Sequence, residues 1–80
     1  MRVEVKMPSA SQGMESGKIV NWLKREGDAV ERGEPIVEIE TDKATIEIEA
    51  LAGGRVVEIV HAVGDEVPVG NTIAYIETGA

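Results

Sequence analysis

The feature that most constrains this chain is that it contains one pattern twice. Displaced by 37 residues, Gly17-Lys18-Ile19-Val20 falls on Gly54-Arg55-Val56-Val57, Gly27-Asp28-Ala29-Val30 falls on Gly64-Asp65-Glu66-Val67, and Gly33 falls on Gly70. Ile36, Ile39, Glu40 and Thr41 fall on Ile73, Ile76, Glu77 and Thr78, so residues 17 to 43 hold ten identities in 27 positions. A second offset, of 43 residues, sets Val3-Glu4-Val5 on Ile46-Glu47-Ile48. The six-residue difference between the offsets is an insertion in the first copy, and it falls in the aperiodic, turn-rich stretch 9–16. Neither copy is large enough to bury a face by itself, so the repeat predicts one quasi-two-fold domain spanning residues 1–80.

The copies read as strands. Val3 and Val5 alternate with Glu4 and Lys6 in a first strand ending at Pro8, and the runs 36–40 and 45–49 alternate apolar and acidic residues with period two. Val and Ile supply 19 of the 80 residues and Leu only two, which favours a pleated surface over helices. From Lys18 to Leu23 apolar residues fall on both faces, so a strand covered on both sides or broken by a bulge is expected there. Gly27, Gly33, Gly64 and Gly70 are placed to supply positive φ at the turns. Asp28 and Asp65 can accept backbone N–H bonds within those turns, and Val30 and Val67 point inward. About four short strands per copy predict an all-β fold of two antiparallel sheets packed face to face.

Between the runs 36–40 and 45–49 there is room only for a hairpin tip. With Asp42 and Lys43 as its central residues, Thr41 faces Ala44, Ile39 faces Ile46 and Val37 faces Ile48, which puts every apolar partner on one face. Lys43 then stands on a stiff tip with no basic neighbour within ten residues on either side. The tip lies where copy one hands over to copy two. Its two-fold counterpart is the pair of chain termini, so Lys43 is expected at one end of the domain and Met1 and Ala80 together at the other. A lysine on a hairpin tip is ordinarily a solvated charge, but a module held at one end and presenting one amine at the other is suited to carrying something.

The rest of the composition removes competing chemistries. With no cysteine there are no disulfides, thiol nucleophiles or zinc-cysteine sites, and one histidine cannot make a His-rich metal centre. His61 matches Lys24 in the repeat and reads as a surface strand position. Trp22 matches Ile59, and both read as packing; Met7 and Met14 read as gap-fillers or loop contacts. No nucleophile and acid-base set can be assembled, so an enzyme in its own right is not expected. Two aromatics and a net charge of −7 argue against nucleic acid and anionic membrane surfaces, and no apolar run reaches the roughly 18 residues of a bilayer span. The chain enters strand pattern at its first residues with no visible transit peptide, from which a bacterial-type cytoplasmic location is expected. In the hairpin register Glu38 faces Glu47 on the outer face, with Glu40 and Glu49 on the same side and Asp42 at the tip. This is either a solvated acidic face or a docking surface for basic partners.

The run Glu40-Thr41-Asp42-Lys43-Ala44, the paired Gly-Asp-x-Val-x-x-Gly turns, Met7-Pro8 after the first strand and Gly17-x-Ile-Val-x-Trp22 together resemble the lipoyl domains of 2-oxo acid dehydrogenase complexes. The resemblance is closest to the N-terminal lipoyl domain of a dihydrolipoamide acyltransferase (E2), and it covers essentially the whole chain. It implies a flattened barrel of two four-stranded sheets, with lipoic acid in amide linkage to Lys43 beside Asp42 and Ala44. It also implies a carrier serving a thiamine-diphosphate decarboxylase (E1), the E2 catalytic core and a flavin-dependent dehydrogenase (E3), loaded by a lipoate ligase or a lipoyl/octanoyl transferase. The domain itself would be monomeric, and pyruvate is the default substrate of the complex. Recognition by E1 is expected to involve the inserted loop (Ser9, Ala10, Ser11, Gln12, Gly13, Met14, Glu15, Ser16) and the acidic residues Glu38, Glu40 and Glu47. Branched-chain 2-oxo acid, 2-oxoglutarate and acetoin complexes use domains of the same kind. The biotin carrier is the nearest alternative, but that family flanks its lysine with methionines, where this chain has Asp42 and Ala44. An unmodified interaction module is a further alternative; the longer glycine-cleavage carrier has helical sequence that this chain lacks.

Overall fold

The computed structural model describes residues 1–9 and 13–78. Eight strands run in chain order: β1 (Arg2–Lys6), β2 (Ser16–Trp22), β3 (Ala29–Val30), β4 (Pro35–Glu40), β5 (Thr45–Glu49), β6 (Gly54–Ile59), β7 (Glu66–Pro68) and β8 (Thr72–Glu77). They form two four-stranded antiparallel sheets, β1-β8-β6-β3 and β5-β4-β2-β7. The repeat maps one sheet onto the other, since β1, β8, β6 and β3 are the counterparts of β5, β4, β2 and β7. The short strands are exchanged between copies. β3 of the first copy pairs with β6 of the second, and β7 of the second pairs with β2 of the first. Neither half can therefore complete a sheet without the other.

The two-fold relation extends to the core. Among the described residues the fourteen buried apolar side chains form seven related pairs: Val5 with Ile48, Met7 with Ala50, Ile19 with Val56, Val30 with Val67, Ile36 with Ile73, Val37 with Ala74, and Ile39 with Ile76. Bulges are repeated as well. The register slips between Ile19 and Asn21 in β2 and between Val56 and Glu58 in β6, which accounts for the apolar residues on both faces of β2. Ile36 and Ile73 are bulged against β5 and β1, which lets the consecutive pairs Ile36-Val37 and Ile73-Ala74 both point inward despite the pleat. Gly27, Gly33, Gly64 and Gly70 all have positive φ, between 88° and 97°. In the turns, Asp28 Oδ2 accepts the Arg25 N–H at 2.9 Å and Asp65 Oδ2 accepts the Ala62 N–H at 3.0 Å.

The turns also lock the copies together. Gly27 N–H donates to Val56 O at 2.6 Å and Val56 N–H to Asp28 O at 2.9 Å, while Gly64 N–H donates to Ile19 O at 2.7 Å and Ile19 N–H to Asp65 O at 2.9 Å. β2 runs inward from the hairpin tip and β6 runs inward from the chain ends. The end of β2 is bridged to the connection after β6 by Trp22 Nε1, which donates to His61 O at 3.0 Å. His61 is not a strand residue as expected. β6 ends at Ile59, and His61 sits in the following connection with Nδ1 3.3 Å from Asp65 Oδ2, because the chain has to turn there to reach β7. Met7 is buried and Met14 packs on the core, their side-chain ends filling the space over Gly17.

Candidate functional site

The β4–β5 hairpin has the predicted register, with Val37 opposite Ile48, Glu38 opposite Glu47, Ile39 opposite Ile46 and Glu40 opposite Thr45. Thr41, Asp42, Lys43 and Ala44 close it. A two-residue hairpin ordinarily needs a turn with positive φ, yet no described residue other than glycine has one. The Thr41 hydroxyl supplies what the backbone does not. Thr41 Oγ1 donates to Ala44 O at 2.8 Å and accepts the N–H groups of Lys43 at 3.3 Å and Ala44 at 3.2 Å. The Thr41 N–H also donates to Ala44 O, at 2.8 Å. Lys43 is exposed and forms no ion pair among the described residues. Asp42 and Ala44 on either side of it are exposed too.

The opposite end of the molecule repeats this arrangement. Thr78, the counterpart of Thr41, donates its N–H to Met1 O at 2.8 Å and its hydroxyl to the same oxygen at 3.1 Å. The Met1 amine lies 2.9 Å from Glu77 Oε2. Lys43 and the first described residue therefore mark opposite ends of a body whose longest extent is 37 Å. Ala80, expected beside Met1, lies outside the described residues.

A shallow cleft beside the tip is lined by Ser16, Gly17, Lys18, Glu40, Thr41, Asp42 and Glu66. Across the outer face of the sheet one row reads Thr45, Glu40, Lys18, Glu66, and the next reads Glu47, Glu38, Asn21. Glu38 and Glu47 are directly opposed as expected, and Asn21 Nδ2 donates to Glu38 Oε1 at 3.1 Å. Lys18 and Glu66 were not anticipated as part of this surface. β7 pairs with β2 only through the exchange between copies, and local periodicity does not carry that pairing. Of the inserted loop, Ala10, Ser11 and Gln12 lie outside the described residues. Ser16 belongs to β2 rather than to the loop, because it is in register with Pro68, and its hydroxyl donates to Glu66 Oε2 at 3.0 Å. Gly13 turns with φ 81°, Met14 packs on the core, and Glu15 O accepts the Val69 N–H at 2.9 Å. These contacts tie the end of the loop beside the tip cleft. Ser9 is exposed at the loop's start. Among the described residues no group of three or more His, Cys, Asp or Glu is arranged to hold a metal ion.

Residues 3–76 match the family described as "Biotin-requiring enzyme", the biotin/lipoyl domain. The solution structure of the lipoyl domain of the 2-oxoglutarate dehydrogenase complex from Azotobacter vinelandii superposes with a TM-score of 0.80 at 37% identity, covering 98% of this chain and 99% of that one. The chain belongs to the biotin/lipoyl family, as a lipoyl-type domain. Among curated proteins, this lipoyl domain is 50% identical over 72 residues to the dihydrolipoyllysine-residue acetyltransferase component 3 of the mitochondrial pyruvate dehydrogenase complex of Arabidopsis thaliana. It is also 50% identical over 66 residues to the pyruvate dehydrogenase E1 component subunit beta of Rhizobium meliloti. The matches take in 89% and 82% of this chain but only 13% and 14% of those proteins. Lipoyl-type domains are swinging-arm carriers, and this one is a carrier module rather than an enzyme active site.

Proposed function

We propose that Lys43 is the residue that carries the lipoyl group, and that the domain serves a pyruvate dehydrogenase complex. The observation that carries the first part is the tip itself: one exposed amine, free of ion pairs among the described residues, on a rigid turn remote from Met1. Such an amine fits an amide-linked group. Its Nζ can attack an activated lipoyl carbonyl, forming the C–N bond as the activating group departs and a proton is released. The amide has no charge, so the arm can enter an apolar channel without the cost of burying an ammonium. When bound, a lipoyl group supplies a dithiolane that takes up an acyl group with two electrons and later gives both away. The protein's share is position and recognition. Asp42 and Ala44, in place of flanking methionines, support lipoyl over biotinyl attachment.

The two 50%-identical relatives belong by name to pyruvate dehydrogenase complexes, which supports that setting. In it the partners are E1, the E2 catalytic core and E3, with a lipoate ligase or a lipoyl/octanoyl transferase for loading. One relative carries its matching segment on an E1 subunit, so the parent polypeptide is an E2 or an E1 chain. Glu38, Glu40 and Glu47, together with the loop Ser9 to Ser16, whose last residue Ser16 lines the cleft beside the tip, are the surface for E1 docking. A field of one sign there acts chiefly on encounter rate. The test is intact mass after incubation with lipoate, ATP and a lipoate ligase. Wild type should gain one lipoyl group, mapped to Lys43, and Lys43→Ala none, with its fold unchanged. Mass gained at Lys6, Lys18 or Lys24 would refute the site. Reductive acylation of the loaded domain should then be faster with a pyruvate E1 than with a 2-oxoglutarate E1; the reverse order would refute the setting.

A further inference from the structure

We infer that the Thr41 hydroxyl is the positioning group that makes Lys43 recognisable to the enzyme that modifies it. The inference rests on Lys43 being the modified residue. A hydroxyl offers one donor and two acceptor sites, and all three are used within the tip, on Ala44 O, Lys43 N–H and Ala44 N–H. Among the described residues no other side chain bonds to the backbone of residues 41–44. The turn contains no glycine and no positive φ, so the direction in which Lys43 leaves the backbone depends on this clasp.

The two-fold relation shows which of the bonds at the tip are built at both ends of the domain. Thr78 makes the same pair of bonds to Met1 O that Thr41 makes to Ala44 O, so donation by the N–H and hydroxyl to that strand is common architecture. Thr41 also accepts two N–H groups, and one of them belongs to Lys43; the residue equivalent to Lys43 at the other end, Ala80, lies outside the described residues. These extra bonds join the sheet to the lysine's own backbone. They are what a modifying enzyme would rely on to find the amine at a fixed height and angle, since it must admit the lysine side chain while rejecting other exposed lysines such as Lys18.

Three variants test this: Thr41→Val, Thr41→Ser and Thr78→Val. For each, the initial rate of lipoylation by a lipoate ligase is compared with labelling of Lys43 by a small acylating reagent and with NMR amide exchange. Thr41→Val loses all three hydroxyl bonds, and losing the two that fix the Lys43 and Ala44 amides predicts about a tenfold fall in lipoylation rate. Small-reagent labelling of Lys43 should be unchanged, and exchange at the Lys43 and Ala44 amides should be faster. Thr41→Ser, which keeps the hydroxyl, and Thr78→Val, which disturbs only the equivalent end, should both stay near the wild-type rate. Wild-type lipoylation of Thr41→Val would overturn the inference, as would an equal fall in Thr78→Val or Thr41→Ser. A wild-type chain that gains no lipoyl group at Lys43 overturns the underlying assignment of Lys43 instead.

Discussion

Gly17 and Gly54 are repeat partners, but a methyl group added at each meets very different surroundings. At Gly54 an added Cβ would overlap the carbonyl of Glu77 and come within 3.0 Å of Thr78 Cα. Those atoms are backbone in and just beyond β8, tied by the Thr78 bond to Met1 O, and they cannot move without opening the β1–β8–β6 ladder. At Gly17 the added Cβ would meet Met7 Sδ at 2.8 Å and Met14 Cε at 3.1 Å, the ends of two flexible side chains. Forced overpacking costs typically about 1–3 kcal/mol and more where the neighbour cannot yield, while the stiffer unfolded chain of alanine returns about 0.4–1 kcal/mol. Gly54→Ala should therefore destabilise by about 2–3 kcal/mol or more, and Gly17→Ala by about 1 kcal/mol or less. The difference is large beside the roughly 4–12 kcal/mol expected for a domain of this length. Urea unfolding followed by fluorescence of Trp22, the one tryptophan, reads it directly. With a slope of about 1 kcal/mol/M, the Gly54→Ala midpoint should drop by about 2–3 M or more and the Gly17→Ala midpoint by about 1 M or less. Equal shifts would refute the distinction between rigid and flexible neighbours.

The remaining predictions concern charge and the tip. Lys24 Nζ lies 2.8 Å from Glu34 Oε2, and their hydrogen bond is the main cause that raises the lysine's pKa above 10.5 and lowers the glutamate's below 4.5. The Glu31 N–H, donating to Glu34 Oε1 at 2.9 Å, helps lower it. The pair's stabilisation is thus present at neutral pH, lost as pH falls below the usual glutamate range, and lost again as pH climbs past the usual lysine value. The stability difference between wild type and Glu34→Gln, measured by denaturation across pH, should narrow at both extremes; a difference independent of pH would refute the assignment. At the tip, inserting one residue beside Lys43 breaks the Thr41–Ala44 register, whereas Asp42→Asn removes an exposed charge and leaves the clasp intact. Lipoylation followed by mass should fall far more for the insertion, and the opposite order would show that charge outweighs presentation.

The repeat makes most of this architecture legible in the sequence. It matched the four strand pairs, placed the end bearing Met1 as the counterpart of the tip, and singled out Asp28 and Asp65 as turn acceptors. What it left unread has a common physical origin in the way the copies close on each other. The bulges at Ile36 and Ile73 are needed because both residues of Ile36-Val37 and Ile73-Ala74 must enter one core, and doubled apolar residues inside otherwise alternating strands were the available signal. His61 was assigned to a strand from its match to Lys24, yet Lys24 also follows the end of its strand. The repeat carried the match between the two residues but not the ends of their strands, which the turns at Gly27 and Gly64 set. Lys18 and Glu66 became neighbours only through the exchange of β7. Thr41 was visible as a repeated threonine, but the three-bond use of its hydroxyl depends on turn angles that period and offset do not carry.

The two copies build ends of the same design, and the differences between those ends bear on how a carrier works. At one end Thr78 meets Met1, from opposite ends of the domain sequence; at the other Thr41 meets Ala44 across Asp42 and Lys43, a covalently continuous bridge that holds the lysine. The outer faces diverge along with the ends. Where the lysine-bearing sheet has Glu38, Glu49 and Glu66, the other has Tyr75, Lys6 and Ala29, and Thr45 is replaced by Arg2. On that second face two cations are matched locally, Arg2 with Glu58 at 3.4 Å and over the Tyr75 ring, and Lys6 with Glu4 at 3.6 Å, while Arg55 stands opposite Glu77 and donates to Gly27 O. On the lysine-bearing face Lys18 is flanked by Glu40 and Glu66, with Glu38 and Glu47 opposed one row beyond. A stable fold alone would favour the matched arrangement on both faces, because like charges directly across a strand pair destabilise it. The uncompensated charge is confined to the sheet that ends in Lys43, so one end of a nearly symmetric body combines the rigid amine with the stronger field.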